Sequence, residues 1–107
     1  MEKQMEMPKT QQEIIAEKKK KLIDSVDLML DWQKAEKIRN FILPILDSFS
    51  LEELDYSIKF VKYLDNKTQL RGPLAAMAKE AIAENEKELQ GIEKNIRPVI
   101  AQIFKKI

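Results

Sequence analysis

Residues 75–106 read AAMAKEAIAENEKELQGIEKNIRPVIAQIFKK, and this stretch decides the fold class. Ala75, Ile82, Leu89, Ile96 and Ile103 stand seven apart, and Ala78, Asn85, Ile92, Val99 and Lys106 each follow three residues later. Apolar residues spaced alternately three and four apart describe an α-helix with a narrow apolar seam that another surface must cover. Gly91 and Pro98 share one outer heptad position, and the seam keeps its phase through both. The pattern predicts one long, kinked C-terminal helix from Leu74 to Lys106 in preference to a hairpin at Gly91. At 1.5 Å per residue such a helix is about 50 Å long.

Working back from this stretch, Gly72-Pro73 supplies a helix stop followed by a residue suited to a helix start. Ser50-x-x-Glu53 has the form of a capping box, and Phe49 with Leu54 has the spacing of a hydrophobic staple. A helix is expected from there, with Leu54, Ile58, Val61 and Leu64 inward, flanked by Phe60 and Tyr63, and fading near Asn66. Ala35, Ile38, Ile42, Ile45 and Phe49 predict another over Trp32 to Phe49. Pro44 lies inside it and frees the carbonyl of Asn40, which predicts a bend. Thr10-x-x-Glu13 is a second capping box. It opens a first helix reaching to about Asp31, with Ile15, Leu22, Val26 and Met29 on one face. The apolar phase shifts near Asp31–Gln33, which predicts a kink or short turn there. The expected architecture is all-α, a small bundle of about four helices over residues 10–107, with residues 1–9 as a loose arm.

Composition narrows the chemistry. The chain has 107 residues, 44% hydrophobic and 35% charged, enough for one domain with a real core. It contains neither cysteine nor histidine. Disulfides, thiolate metal sites, cysteine nucleophiles and histidine-dependent catalysis are thereby excluded. The formal net charge is +1, and lysine far outnumbers arginine. A duplex-binding protein usually carries a basic excess, so nucleic acid is an unlikely partner. The N-terminal MEKQMEMPKTQQ has no apolar core of a signal peptide, and no stretch is apolar over a membrane-spanning length. A cytoplasmic chain without membrane contact is the expectation. Its lysine- and isoleucine-rich composition suits an AT-rich bacterial or phage genome.

Several features could carry function. Lys18, Lys19, Lys20 and Lys21 form a weak basic patch, bracketed by Glu13, Glu17, Asp24 and Asp27; a solvated helix face is the simpler reading. Asp24-x-x-Asp27 and Glu52-x-x-Asp55 resemble the acidic pairs with which helical nucleotide pyrophosphatases hold magnesium, but with Asp in the first pair where those enzymes show Glu. The second pair is already explained by anions favoured at a helix start. Trp32, Tyr56, Phe60 and Tyr63 interleave with Lys34, Lys59 and Lys62, a pattern that can stack single-stranded nucleic acid but more often supplies core anchors. Asn85 interrupts the terminal seam, either to set register in a coiled coil or at an uncovered, solvated end.

The favoured reading is a non-catalytic protein–protein interaction module: an adaptor, regulator or inhibitor with no cofactor, metal or catalytic residue assigned. Leu89, Ile92, Ile96, Ile100, Ile103, Phe104 and Ile107, with Asn85, would form either the bundle spine or a self-association surface of a homodimer. The apolar face widens past Pro98, which points to a partner there. A nucleic-acid-associated accessory protein is the alternative, and the magnesium pyrophosphatase a distant third. Solution mass of an Ile96→Asp, Ile103→Asp variant separates spine from surface. A folded monomer derived from a dimer places the pair between chains, and unfolding places it within one.

Overall fold

The first three α-helices start where a side chain supplies an acceptor for orphan amides. The Thr10 hydroxyl accepts from the Glu13 amide at 3.2 Å while the Glu13 carboxylate accepts from the Thr10 amide at 3.0 Å. This box opens α1, Gln11–Asp27. In the computed structural model, which describes residues 10–107, four further helices follow: α2 (Trp32–Ile42), α3 (Leu51–Thr68), α4 (Ala75–Glu93) and α5 (Pro98–Lys106). A 3-10 segment, Leu43–Ser48, links α2 to α3. The described residues are all-helical. The expected arm at 1–9 lies outside them.

α1 is shorter than its pattern. It ends at Asp27 because Asp31 caps the next helix, accepting from the Lys34 amide at 3.1 Å. The phase shift near Asp31 is therefore a true turn, and the Leu30 amide within it donates to Asp65 of α3 at 2.9 Å. Pro44 likewise changes the geometry rather than merely bending it. α-helical hydrogen bonding stops at Ile42 and the tighter 3-10 form continues to Ser48. In the α3–α4 turn Gly72 has φ +85°, a left-handed conformation that favours glycine.

The expected single C-terminal helix is two. Gly91 sits inside α4, and the chain turns at Lys94–Arg97 instead. Arg97 precedes a proline, whose ring disfavours helical backbone at that residue; it is extended at φ −64°, ψ 132°. Pro98 then opens α5 from the first turn, where its missing amide costs nothing. Glu93 and Lys105 would stand about 18 Å apart along a straight helix. Their ion pair is 2.7 Å long, so α5 folds back toward the end of α4.

α3 is the central element, packed against α1, α4 and α5. It buries Leu54, Tyr56, Ile58, Phe60, Val61 and Leu64, more than one stripe of its surface. Phe104 of α5 is fully buried among aromatic rings, with centroids 5.4 Å from Phe41, 6.0 Å from Tyr56 and 5.4 Å from Phe60. The T-shaped approach to Phe41 and Tyr56 is the favourable one for rings carrying positive edges.

Glu53 joins these parts. Only 3% exposed, its carboxylate accepts from the Ser50 amide at 2.9 Å, completing the capping box of α3. It also accepts from Arg97 three times: from Nε at 2.7 Å, Nη2 at 2.9 Å and the backbone amide at 3.1 Å. The same Nη2 donates to the Ser48 carbonyl at 3.0 Å. One buried carboxylate thus holds the end of the 3-10 segment, the start of α3 and the α4–α5 turn. Burial pushes its pKa up, but the Arg97 and Ser50 hydrogen bonds and the guanidinium charge outweigh that and hold it below the usual 4.5.

A carboxyl group whose folded pKa is depressed stabilises the fold above its unfolded pKa, and that contribution is lost as pH falls through the folded value. Urea unfolding is therefore expected to show stability falling from about pH 4.5 downward. Glu53→Gln flattens this slope and costs about 2 kcal/mol at neutral pH, from lost charge-assisted hydrogen bonds. Arg97→Ala is also destabilising, because it leaves a buried carboxylate without its cation.

Candidate interaction surface

Much of the terminal seam faces the core, whereas Val99 is exposed. Leu89, Ile96, Ile100 and Phe104 are buried in the core, and Ile92 and Ile107 pack half-buried against it. Ile103 and Asn85 are half-buried. The widened apolar face past Pro98 is covered by rings from α2 and α3.

The basic run is partly committed within the chain. Lys18 pairs with Asp55 of α3, and Lys19 with Asp47 at 2.9 Å, while Lys20 and Lys21 are exposed. The paired carboxylates do not converge. Asp27 pairs with Arg39 and Asp55 with Lys18, and among the described residues no group of three or more acidic side chains comes together to hold a metal ion. Lys59 pairs with Glu88 at 2.8 Å, joining α3 to α4. No helix is long and apolar enough to cross a membrane among the described residues.

The surface that sequence reasoning missed is one end of the bundle. In the α1–α2 turn Leu28 is 79% exposed and Leu30 65%, and Trp32 at the start of α2 is 68% exposed. In the α3–α4 turn and the start of α4, Leu70, Leu74 and Met77 are exposed too. The hydrogen bond from Leu30 to Asp65 places the first turn beside the last part of α3, so both turns lie at the same end. A signal existed: Leu28, Met29 and Leu30 are three consecutive apolar residues, of which only Met29 is buried. Exposed apolar patches of this kind mark interaction sites more often than chance.

A second feature is a groove of about 710 Å³ between α3, α4 and α5, reached by Lys34 of α2. Tyr56, Phe60, Leu64, Leu89 and Phe104 lie beneath it, each at most 6% exposed, and its accessible rim is mainly charged or polar, from Lys34, Lys67, Glu86, Gln90, Glu93 and Lys105. Lys34, Tyr56, Phe60 and Tyr63, read from the sequence as scattered aromatics and lysines, thus come together here. The Tyr56 hydroxyl is buried and has no hydrogen-bond partner. Burial, and secondarily the Glu93 charge, push its pKa up to about 12, so it stays protonated as a donor.

No protein-family model, curated protein or solved structure matches the chain.

A buried donor left unpaired carries a desolvation cost. Tyr56→Phe is expected to raise stability by about 1 kcal/mol, read as a higher midpoint of urea unfolding. Phe104→Ala should lower it by about 4 kcal/mol, with Ile96→Asp unfolding the chain outright.

Proposed function

We propose that the chain is a non-catalytic protein–protein interaction module, a small helical adaptor, regulator or inhibitor that presents the apolar end formed by its two turns. The carrying observation is that Leu28, Leu30 and Trp32 lie exposed at the same end as Leu70, Leu74 and Met77. Exposure on this scale opposes the hydrophobic effect, and covering the patch recovers it. Trp32, and Arg71 which follows Leu70 in the chain, are of the residue types that dominate binding energy at interfaces. Arg71 has no ion-pair partner among the described residues.

The first occupant of this end is a second copy of the chain. One large aromatic beside a row of smaller aliphatic side chains offers both a knob and a seat, which a two-fold axis pairs twice. The alternative of nucleic-acid binding is less well supported, because Lys18 and Lys19 are already neutralised by Asp55 and Asp47.

Light scattering over a concentration series tests the reading. The expected result is a mass rising toward twice 12.5 kDa. A Leu30→Ser, Trp32→Ser variant should keep its helical circular dichroism and thermal midpoint while losing about 2 kcal/mol or more of association energy. A wild-type chain that is monomeric at about 1 mM sinks the self-association form. Association undiminished in the variant removes this end as the surface.

A further inference from the structure

Two features of the α4–α5 turn do not follow from the fold-back itself. The seam over residues 75–106 keeps one heptad phase through Lys94–Arg97, the phase of a single helix. Val99 stands at a seam position and is nevertheless 55% exposed. Little backbone rotation separates the turn from a continuous helix. Lys94 is helical at φ −66°, ψ −20°, and Arg97 already has a helical φ of −64°, so that its ψ of 132° is what departs. Among the described residues no non-glycine residue has a positive φ. Pro98 holds Arg97 in this state. Its ring disfavours a helical backbone at the residue before it, and in a continuous helix it would clash with the Lys94 carbonyl.

We infer that Lys94–Arg97 is an exchange hinge: α4 and α5 straighten into one helix, and two copies of this chain trade α5, each filling the other's seat. A second copy is the occupant because the seat already matches α5. Phe104 lies fully buried among Phe41, Tyr56 and Phe60, and Lys105 meets Glu93 at 2.7 Å. The α5 of another copy makes the same contacts, so the exchange gives up none of them. α5 has nine residues and holds its helix by docking, so it leaves and rebinds as a unit. The guanidinium of the exchanged Arg97 arrives at Glu53 with its helix. The Arg97 amide, which donates to Glu53 at 3.1 Å in the closed form, donates instead to the Glu93 carbonyl as in any helix. On the straightened helix Val99 rejoins Ile92, Ile96 and Ile103 in one stripe, and the two stripes cover each other where the helices cross the two-fold axis. Pro98 opposes this state, since it suits the first turn of a separate α5 and is unfavourable inside a continuous helix. None of this draws on the residues of the apolar end.

Pro98→Ala tests this in a Leu30→Ser, Trp32→Ser background, which takes the apolar end out of the measurement. Light scattering should find the Pro98→Ala chain dimeric at concentrations where the Pro98 chain is monomeric. Its association constant should rise about ten-thousandfold, a factor of about a hundred for each of the two hinges. Spin labels on Gln90→Cys and Lys106→Cys read the hinge directly, because the chain has no other thiol. In the closed form Gln90 and Ile107 line one groove, whereas positions 90 and 106 stand about 24 Å apart on a straight helix. Diluting labelled chain into unlabelled chain restricts the signal to pairs within one chain. The expected result is a dimer with the long separation. The inference is overturned if Pro98→Ala stays monomeric at about 1 mM, or if its dimer keeps the short separation of the closed form. A Pro98→Ala chain that unfolds overturns it too, since the contacts of α5 are retained in both states.

Discussion

The Glu53 carboxylate is the constraint on which the rest of this structure depends. A short bundle with few turn-forming residues must reverse direction after α4, and Arg97 does so in an extended conformation that leaves its amide outside any helix. Burying such an amide is unfavourable unless it finds an acceptor. Glu53 is that acceptor and also takes the guanidinium, so the reversal and the start of α3 share one anchor. The anchor is polar, directional and buried, which makes it a device for placing the turn rather than a large source of stability.

With the turn placed there, α5 can bring Phe104 under α2 and against α3. Those ring contacts close the core on the side that α1 and α4 leave open. Much of the terminal seam is thereby covered within one chain, with Leu89, Ile96, Ile100 and Phe104 buried. Among the described residues, six of the eight large exposed apolar side chains lie in or beside the two turns at the far end of α3; Leu43 and Val99 are the other two. Core and exposed patch are therefore two results of one arrangement: α3 is wrapped along its length but not past Thr68.

The sequence made much of this legible, and the exceptions have physical causes. Both capping boxes lie where Thr10 and Ser50 indicated, because reciprocal side-chain-to-amide bonds are local and depend on nothing distant. The inward positions of α3 followed from spacing alone. The break after α4 did not, since the heptad count runs on through Lys94–Arg97 and a pattern of apolar positions is blind to a reversal that preserves it. Pro98 was the available clue, outvoted by seam continuity. Arg97 and Glu53 are 44 residues apart, and no local rule joins them. The apolar end was hidden because Leu28 and Leu30 fall within a stretch whose pattern predicts helix to about Asp31, and Trp32 has the residue type of a core anchor. The groove could not be read at all, as it draws on α2, α3, α4 and α5 together.

α5 has nine residues, too few to hold a helix alone in water. Its helicity is therefore borrowed from docking, and it should open as one cooperative unit, in the manner of a foldon, before the rest of the bundle. That unit carries Phe104, Lys105 and Ile107, which form one side of the groove beside Tyr56. Contacts made by those residues are lost whenever the last helix opens, and anything that strengthens them favours its folding. A structural weakness at the C-terminus is also the place where local order responds first to a change in packing.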